Sequence, residues 1–178
     1  ALSSNNVMQI HEDENGHIWL ATVMGLNRYD KDNNRFYRYQ HDETNPESLS
    51  ADMVWHMFED TRGNFWIATE GSGVNLWLKE DRINNIARFQ RIGRQDGLPS
   101  NTIVGIAEDN SGRIWMSSNK GLTRYNPQNG DIEHFDKSHG LQGYDFNQGA
   151  VIKRKDGQIY FGGSNGFNHF SADFEPID

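Results

Sequence analysis

A repeat of four copies is the feature that most limits how this chain of 178 residues can fold. In each copy a glycine is followed three residues later by an aromatic residue, and a second glycine is followed four residues later by another. The first pairs are Gly16 with Trp19, Gly63 with Trp66, Gly112 with Trp115 and Gly157 with Tyr160. The second pairs are Gly25 with Tyr29, Gly73 with Trp77, Gly121 with Tyr125 and Gly166 with Phe170. The first aromatic residue recurs every 45 to 49 residues, which indicates one supersecondary unit per copy, stacked on its neighbours.

Each copy predicts four short strands joined by tight turns. In the first copy we place strands at 7–12, 17–22, 26–29 and 35–39, and in the second at 54–59, 65–69, 74–77 and 86–89. Glycine supplies the positive φ that tight hairpins require, and Asp13, Asp60 and Asp109 can accept hydrogen bonds from the turn amides. The first strand of a copy carries apolar residues at neighbouring positions, as in Val54 and Trp55, which predicts that both of its faces are covered.

Four antiparallel strands per repeat are typical of a β-propeller blade. We therefore predict an all-β fold: a β-propeller of four blades, each a four-stranded antiparallel sheet, forming a segment of a larger ring. The blades are expected at 1–48, 49–97, 98–140 and 141–178, and the last is expected to be incomplete because it ends after its third strand, near 167–170. A sandwich of sixteen short strands is the alternative, but it gives no reason for the spacing to recur.

The composition argues against several classes of function. The net charge of −8 argues against nucleic acid as a partner, because phosphate binding needs clustered Lys and Arg. The chain has no cysteine, which excludes disulfides and thiolate chemistry. No apolar run approaches the roughly 18 residues needed to cross a bilayer.

Two segments, 98–103 (LPSNTI) and 108–115 (EDNSGRIW), resemble the two-component regulator propeller repeat, and the resemblance extends over essentially the whole chain. The fourth copy departs from the pattern at Lys153 and Arg154 and at 160–163. This variant resembles the last repeat of such propellers, before an immunoglobulin-like domain, with the exit at 175–178. The resemblance implies a seven-bladed parent propeller, so we expect the chain to be part of a longer protein.

The resemblance also implies a location and a role. In the family, paired propellers form the extracytoplasmic sensor of a membrane-spanning histidine kinase, often a hybrid one, or of a diguanylate cyclase, and some respond to oligosaccharides. We therefore expect a non-catalytic, ligand-sensing segment at the periplasmic face of the inner membrane, with the parent protein anchored in that membrane. The expected ligand is a small molecule or an oligosaccharide, and no cofactor or metal is expected.

Ligand-binding residues are expected where the repeats differ. The loop before the first strand and the loop after the second strand lie at the same end of a blade, and they are rich in residues that suit a polar ligand. The candidates are Asn6, Asp52, Glu70, Asn101, Asn119, Lys120, Tyr144, Asp145, Asn147 and Asn165. Ordinary turn capping is the alternative explanation for these residues.

The other groups that could suggest metal binding or catalysis are better explained by a structural role. The cluster at 134–139 lacks metal-ligand spacing, and the loop at 30–34 lacks the glycine and glutamate of a calcium loop. The Glu-Asp pairs recur at one turn position, which favours a structural role, and Trp19, Trp66 and Trp115 are expected in the core between blades.

Two alternatives to the sensor function remain. One is a propeller lyase or glycosidase using His139 and Asp145. The other is an interaction scaffold in which open blade faces and an unpaired edge favour self-association.

Overall fold

The computed structural model describes residues 1–175, so most of the predicted exit, 176–178, lies outside the described residues. Strands β1 to β4 are Val7–Glu12, Ile18–Thr22, Gly25–Asp30 and Arg35–Tyr39, and β5 to β8 are Val54–Glu59, Phe65–Thr69, Val74–Trp77 and Gln90–Ile92. Strands β9 to β12 are Ile103–Glu108, Ile114–Ser118, Gly121–Tyr125 and Ile132–Phe135, and β13 to β15 are Phe146–Lys153, Gln158–Gly163 and Gly166–Ser171. The single α-helix of the described part, α1, is Lys79–Ile83.

Each group of consecutive strands forms one antiparallel sheet in chain order. Blades 1, 2 and 3 are the sheets β1–β4, β5–β8 and β9–β12, and blade 4 is β13–β15. The all-β propeller architecture is therefore confirmed, and within residues 1–175 the fourth blade has three strands. Within these residues no helix is long and apolar enough to span a bilayer.

The outer strand of blade 2 was wrongly placed at 86–89; it is β8, Gln90–Ile92. The intervening chain first forms α1 and then a loop in which Asn85 adopts a φ of 55°. Ile86 is exposed, and its carbonyl accepts a hydrogen bond from the Trp77 indole at 2.8 Å. Phe89 enters the core instead of pairing. Of the apolar residues in 86–89, only Phe89 is buried, and it serves side-chain packing, which periodicity alone does not distinguish from strand pairing.

The hydrophobic core consists of three clusters, each between two successive blades. The first joins Trp19, Ala21 and Leu26 of blade 1 to residues of blade 2, and Trp66 and Trp115 belong to the corresponding second and third clusters. Neighbouring residues of one strand enter different clusters: Phe65 and Ile67 face blade 1, whereas Trp66 and Ala68 face blade 3. The structural reading of the three tryptophans is confirmed. Among residues 1–175 no cluster joins blade 4 to blade 1, so the blades form an open arc.

Position in the arc determines how deeply each inner strand is buried. Every residue of β9 in blade 3 is buried, and β5 in blade 2 has no exposed residue, because each of these blades has a neighbour on both sides. The inner strands of the end blades, β1 and β13, keep several exposed residues. The prediction that first strands are covered on both faces therefore holds fully only for β9.

The second glycine of each repeat is required by close packing as well as by its backbone angle. Gly121 has a φ of 108°, and a Cβ there would lie 2.2 Å from the carbonyl oxygen of Phe135. Gly25 and Gly73 meet the outer strands of their own blades in the same way. Gly166 has a φ of 121° but no atom within 4 Å of that position, because no outer strand lies beside β15 in the described residues.

Candidate functional site

A rim of loops follows one end of the arc, and successive blades are joined there by a repeated backbone hydrogen bond. The amide of Gly25 donates to Asp52 at 2.7 Å, that of Gly73 to Asn101 at 2.8 Å, and that of Gly121 to Tyr144 at 2.9 Å. In each case the turn after the second strand of one blade binds the loop that leads into the next blade. We call these three contacts the joints 1/2, 2/3 and 3/4. Three of the predicted ligand-binding residues are therefore the acceptors of the joints.

The third joint differs from the first two in what its side chain does. The Asp52 carboxylate accepts a hydrogen bond from the amide of His41 at 2.8 Å, and the Asn101 side chain accepts one from the amide of Arg94 at 2.8 Å. Both side chains therefore bind the backbone of the segment that follows an outer strand. The Tyr144 ring is instead 48% exposed, with the Lys137 ammonium 5.5 Å from its centroid.

Four further candidates lie at joint 3/4 beside Tyr144. Asn119 accepts a hydrogen bond from the Ser100 hydroxyl at 2.7 Å, and Lys120 follows it in the turn that binds Tyr144. The carbonyl of Asp145 accepts from the amide of Ser164, next to Asn165. All four side chains are exposed. Joint 3/4 therefore presents an aromatic ring, a cation, a carboxylate and two carboxamides on one surface.

The remaining candidates do not join that surface. Asn6 caps the start of blade 1, where its carbonyl accepts a hydrogen bond from Val23, and Asp52 lies at joint 1/2. Glu70 and Asn101 lie at joint 2/3, where the amide of Glu70 donates to Met53. Asn147 is an exposed residue of β13. The ten residues are spread along the arc and do not converge on one ligand.

Gln142 was missed in the sequence, although it organises joint 3/4. Its side-chain nitrogen donates to the carbonyl of Asp145 at 3.1 Å, and its side-chain oxygen accepts from the amide of Asn165 at 2.8 Å. The residue after the recurring leucine varies between copies: Ser3, Ser50 and Pro99 follow Leu2, Leu49 and Leu98, and Gln142 follows Leu141. Of the four copies, only the fourth has a carboxamide at this position, and it lies at the same joint as Tyr144.

At the opposite end of the blades, the recurring aspartates are structural. One carboxylate oxygen of Asp60 accepts hydrogen bonds from the amides of Arg62 and Asn64, and the other accepts from the Trp66 indole at 2.8 Å. Asp13 and Asp109 make the same three kinds of bond in their own blades. Burial would raise the pKa of Asp13, but the hydrogen bonds from Trp19, His17 and Asn15 outweigh it and lower the pKa. The expected role in the turns is confirmed.

Arg82 forms a buried ionic link between blades 1 and 2. It projects from α1 and is only 3% exposed. Its guanidinium lies 2.9 Å from the Asp13 carboxylate and 3.1 Å from the Glu59 carboxylate, and it donates to the carbonyl of Gly63 at 2.7 Å. It also lies 4.0 Å from the centroid of the Phe65 ring. Two carboxylates from different blades are thus neutralised by one cation.

The candidates for enzymatic or metal chemistry have structural partners. His139 bonds Asp136 at 3.1 Å, and no hydrogen bond joins it to Asp145 in the described part of the chain. Asp30 accepts hydrogen bonds from the amides of Asp32 and Asn33, which closes the turn between β3 and β4. Residues 1–175 contain no group of three or more metal-ligating side chains.

The inner strands border an axial groove of about 520 Å³. Gln9 reaches across it to bond both the amide and the carbonyl of Met57, and Gln148 bonds the carbonyl of Trp55 at 3.2 Å. His56 lines the same groove and is 9% exposed. Burial lowers the pKa of His56 to about 4, with a smaller contribution from His11 in the same direction, against a hydrogen bond with the backbone of Ile106. The imidazole is therefore neutral at neutral pH.

The fold and the joints define an array of β-propeller blades, and comparison with known proteins shows which repeat family three of these blades match. Residues 1–24, 48–71 and 97–120 match the family described as the two component regulator propeller. Each matched segment runs from the leading loop of a blade to the turn after its second strand. The fourth blade, which departs from the pattern at Lys153 and Arg154, is not among the matched segments. Three of the four blades therefore each contain a segment that matches the two component regulator propeller repeat.

Similar proteins include the extracellular domains of two hybrid two component systems and a histidine kinase. The chain is 28% identical over 179 residues to histidine kinase P4 of Formosa agariphila, covering 97% of this chain and 12% of that protein. The extracellular domain of a B. thetaiotaomicron protein assigned as the hybrid two component system BT3049 is 29% identical, with a TM-score of 0.81 and coverage of 97% and 22%. That of a second such system, BT4673, is 27% identical, with a TM-score of 0.82 and coverage of 98% and 24%. The chain therefore spans less than a quarter of each of these relatives.

Proposed function

We propose that this chain is a segment of an extracytoplasmic sensor propeller, which binds a ligand for a membrane-bound two-component system and performs no catalysis itself. The similar extracellular domains of hybrid two-component systems support this role. The observation that carries the proposal from the structure is the exposed surface at joint 3/4, where the repeat pattern is broken by Tyr144 and Gln142.

The ligand class follows from the groups at this joint. Tyr144 offers an exposed ring face, and Asn119 and Asn165 offer carboxamides that both donate and accept hydrogen bonds. Lys120 and Asp145 add one charge of each sign. Such a mixture suits a hydroxyl-rich ligand with apolar ring faces, so an oligosaccharide is the proposed ligand.

A binding screen with short neutral and acidic oligosaccharides tests this proposal. We expect at least one of them to raise the thermal stability of the chain, because a ligand that binds only the folded state stabilises it. For that oligosaccharide, Tyr144→Ala should weaken binding by about tenfold or more, since it removes the ring from the contact. Calorimetry or ligand-detected NMR measures the change.

The matched control is Tyr37→Ala, on β4 of blade 1, where Arg28 and Arg35 lie against the ring. It should leave oligosaccharide binding unchanged. A panel with no binder would refute the glycan ligand, and a binder unaffected by Tyr144→Ala would refute the site at joint 3/4.

A second candidate function is that of an interaction scaffold, and the exposed end faces favour it. Ile10 of blade 1 and Ile152 of blade 4 are 64% and 59% exposed. Their counterparts by repeat position, such as Met57 and Ala107, lie in the clusters between blades. Met57 packs toward blade 1 and Ala107 toward blade 4, so Ile10 lies on the face of blade 1 that would meet a preceding blade, and Ile152 on the face of blade 4 that would meet a following one. The two end faces therefore complement each other as the faces of successive blades do. We propose that copies of the chain associate head to tail through these faces.

Sedimentation velocity over a range of micromolar concentrations tests this association. The chain should form dimers or larger species as its concentration rises, and Ile10→Lys with Ile152→Lys should shift it to monomer, because each places a charge in an apolar contact. Ile83→Lys, on the exposed side of α1, is the control and should leave association intact. If the chain sediments as a monomer at every concentration, the proposed self-association is refuted.

A further inference from the structure

A cleft of about 370 Å³ lies between blade 1 and the helix α1 of blade 2. It is lined by Asn15, His17, Trp19 and Arg28 of blade 1 and by Arg82 and Ile83 of α1. Arg28 lies on β3 directly opposite Trp19 of β2 and Tyr37 of β4. Because Trp19 packs toward blade 2, Arg28 faces that blade as well. The cleft therefore lies between two blades that this chain contains, apart from the rim and the axial groove.

Arg28 has aromatic neighbours but no carboxylate partner. Its guanidinium carbon lies 4.6 Å from the centroid of the Tyr37 ring and 5.9 Å from that of the Trp19 ring. Within residues 1–175 no hydrogen bond or ion pair joins this guanidinium to another side chain. Asp30, two residues further along β3, instead accepts hydrogen bonds from amides of its own turn. The donors of Arg28 lie in the plane of the guanidinium and remain available to a ligand.

The same arginine position in blade 3 shows what such a guanidinium binds. Arg124 of β11 lies opposite Trp115 and Glu133, in the register that Arg28 has with its two aromatic neighbours. The Arg124 guanidinium lies 5.5 Å from the centroid of the Trp115 ring, and its Nη2 lies 2.7 and 2.6 Å from the two carboxylate oxygens of Glu133. Blade 1 keeps the arginine and the tryptophan but has Tyr37 at the position of the carboxylate.

A second arginine at the cleft also has an unused donor. Arg82 is 3% exposed, and its Nε is buried without a hydrogen-bond partner among residues 1–175. Its other two nitrogens bind Asp13, Glu59 and the carbonyl of Gly63. A buried donor without an acceptor is destabilising, so an acceptor at this wall of the cleft is favoured.

We propose that this cleft binds the carboxylate of a small organic acid, with the Arg28 guanidinium as its bidentate partner. The ligand carboxylate takes at Arg28 the place that Glu133 takes at Arg124. Charge-assisted pairs of this geometry are roughly twice as strong as neutral hydrogen bonds. Ile83, which is 57% exposed at the cleft, offers a surface on which an apolar group of the acid packs. The site is separate from joint 3/4, so its test does not depend on the ligand proposed for that joint.

Titration of the full chain with hexanoate and benzoate, followed by ligand-detected NMR and calorimetry, tests the proposal. Hexanamide and benzamide are the neutral counterparts. We expect saturable binding of at least one acid at millimolar concentration or below, and at least about tenfold weaker binding of its amide, because the amide lacks the charge. No saturable binding of either acid, or equal binding of acid and amide, would overturn the proposal. Sulfate that binds as tightly as the acid would show an adventitious anion site only and would overturn the assignment to carboxylates.

Arg28→Gln should weaken binding of that acid by about tenfold or more, since it removes the charge and the pair of parallel donors. The matched control is Arg35→Gln. Arg35 lies 5.1 Å from the centroid of the same Tyr37 ring but does not line the cleft, so this variant should bind normally. Equal losses in the two variants would show an effect of general surface charge and would contradict the role of Arg28.

Tyr37→Glu tests the comparison with blade 3 directly. It places a carboxylate opposite Arg28, as Glu133 lies opposite Arg124, and should abolish binding of the acid by occupying the guanidinium. Tyr37→Gln removes the same ring without adding a charge and should still bind. Tyr37→Glu should also unfold at a higher temperature than Tyr37→Gln, because it gains an ion pair, which distinguishes a blocked site from a misfolded chain. Binding that survives Tyr37→Glu, an equal loss in Tyr37→Gln, or a lower unfolding temperature for Tyr37→Glu would each overturn the site.

Discussion

Arg82→Met should lower the free energy of unfolding by about 3–5 kcal/mol, the cost of breaking a buried ion pair by removing one partner. The substitution leaves the carboxylates of Asp13 and Glu59, at the interface of blades 1 and 2, without their shared cation. It also frees the carbonyl of Gly63, which accepts a hydrogen bond from the guanidinium. Since domains of this size are stable by about 5–15 kcal/mol in total, the loss should be visible as a large fall in the urea midpoint.

Arg88→Met is the matched control, because Arg88 is also an arginine between two carboxylates. Its side chain is 49% exposed and lies 3.4 Å from Glu47 and 3.5 Å from Asp81. Exposed pairs of this kind contribute about 0–1 kcal/mol, so this variant should unfold at nearly the same urea concentration as the parent chain. Equal losses in the two variants would contradict the assignment of Arg82 as the link between blades.

Acidification from pH 6.5 to about pH 4 should destabilise the chain through His56 by about 3 kcal/mol, since each unit of pKa difference is worth about 1.4 kcal/mol. The pKa of His56 is about 4 in the folded chain, against 6.5 when the side chain is free. Between these values the unfolded state binds a proton at this residue and the folded state does not. The stabilisation from the neutral imidazole is therefore complete above pH 6.5 and is lost progressively as the pH falls toward 4.

His56→Gln isolates this contribution, because glutamine does not titrate. Urea unfolding at several pH values should give a shallower decline of stability for this variant than for the parent chain over this window. His134→Gln, at an exposed position on β12, should leave the decline as it is in the parent. Parallel pH profiles for the parent and His56→Gln would show that the groove does not hold His56 neutral.

Strand positions were predictable where the signal was local. Glycine turns and the recurring spacing between glycine and aromatic residues located β1, β4, β5, β6 and β7 at their observed bounds. The outer strand of blade 2 was not predictable in this way. Its position depends on α1, and α1 places Arg82 against a carboxylate of another blade, 69 residues away in sequence. Periodicity within 86–89 carries no information about that contact.

The candidate site was predictable only in part, for a similar reason. Strand order places the loop before the first strand and the loop after the second strand at one end of each blade. It does not show which side chains in these loops already form hydrogen bonds within the protein. Asp52 and Asn101 look as suitable for a ligand as Tyr144 in the sequence, yet both accept hydrogen bonds from backbone amides. Those amides belong to residues that follow outer strands, so their role depends on packing around each joint.

The sequence by itself determined the four blades, the likeness of three of them to the two component regulator propeller repeat and the structural role of the recurring aspartates and tryptophans. These features follow from short-range geometry: a positive φ at a glycine, a carboxylate bound to amides two and four residues away, and an indole six residues away. Only the tertiary structure decided the open arc, the link made by Arg82 and the neutral state of His56. Each of these arises where different blades or widely separated segments meet, and burial there is a property of the assembled interface.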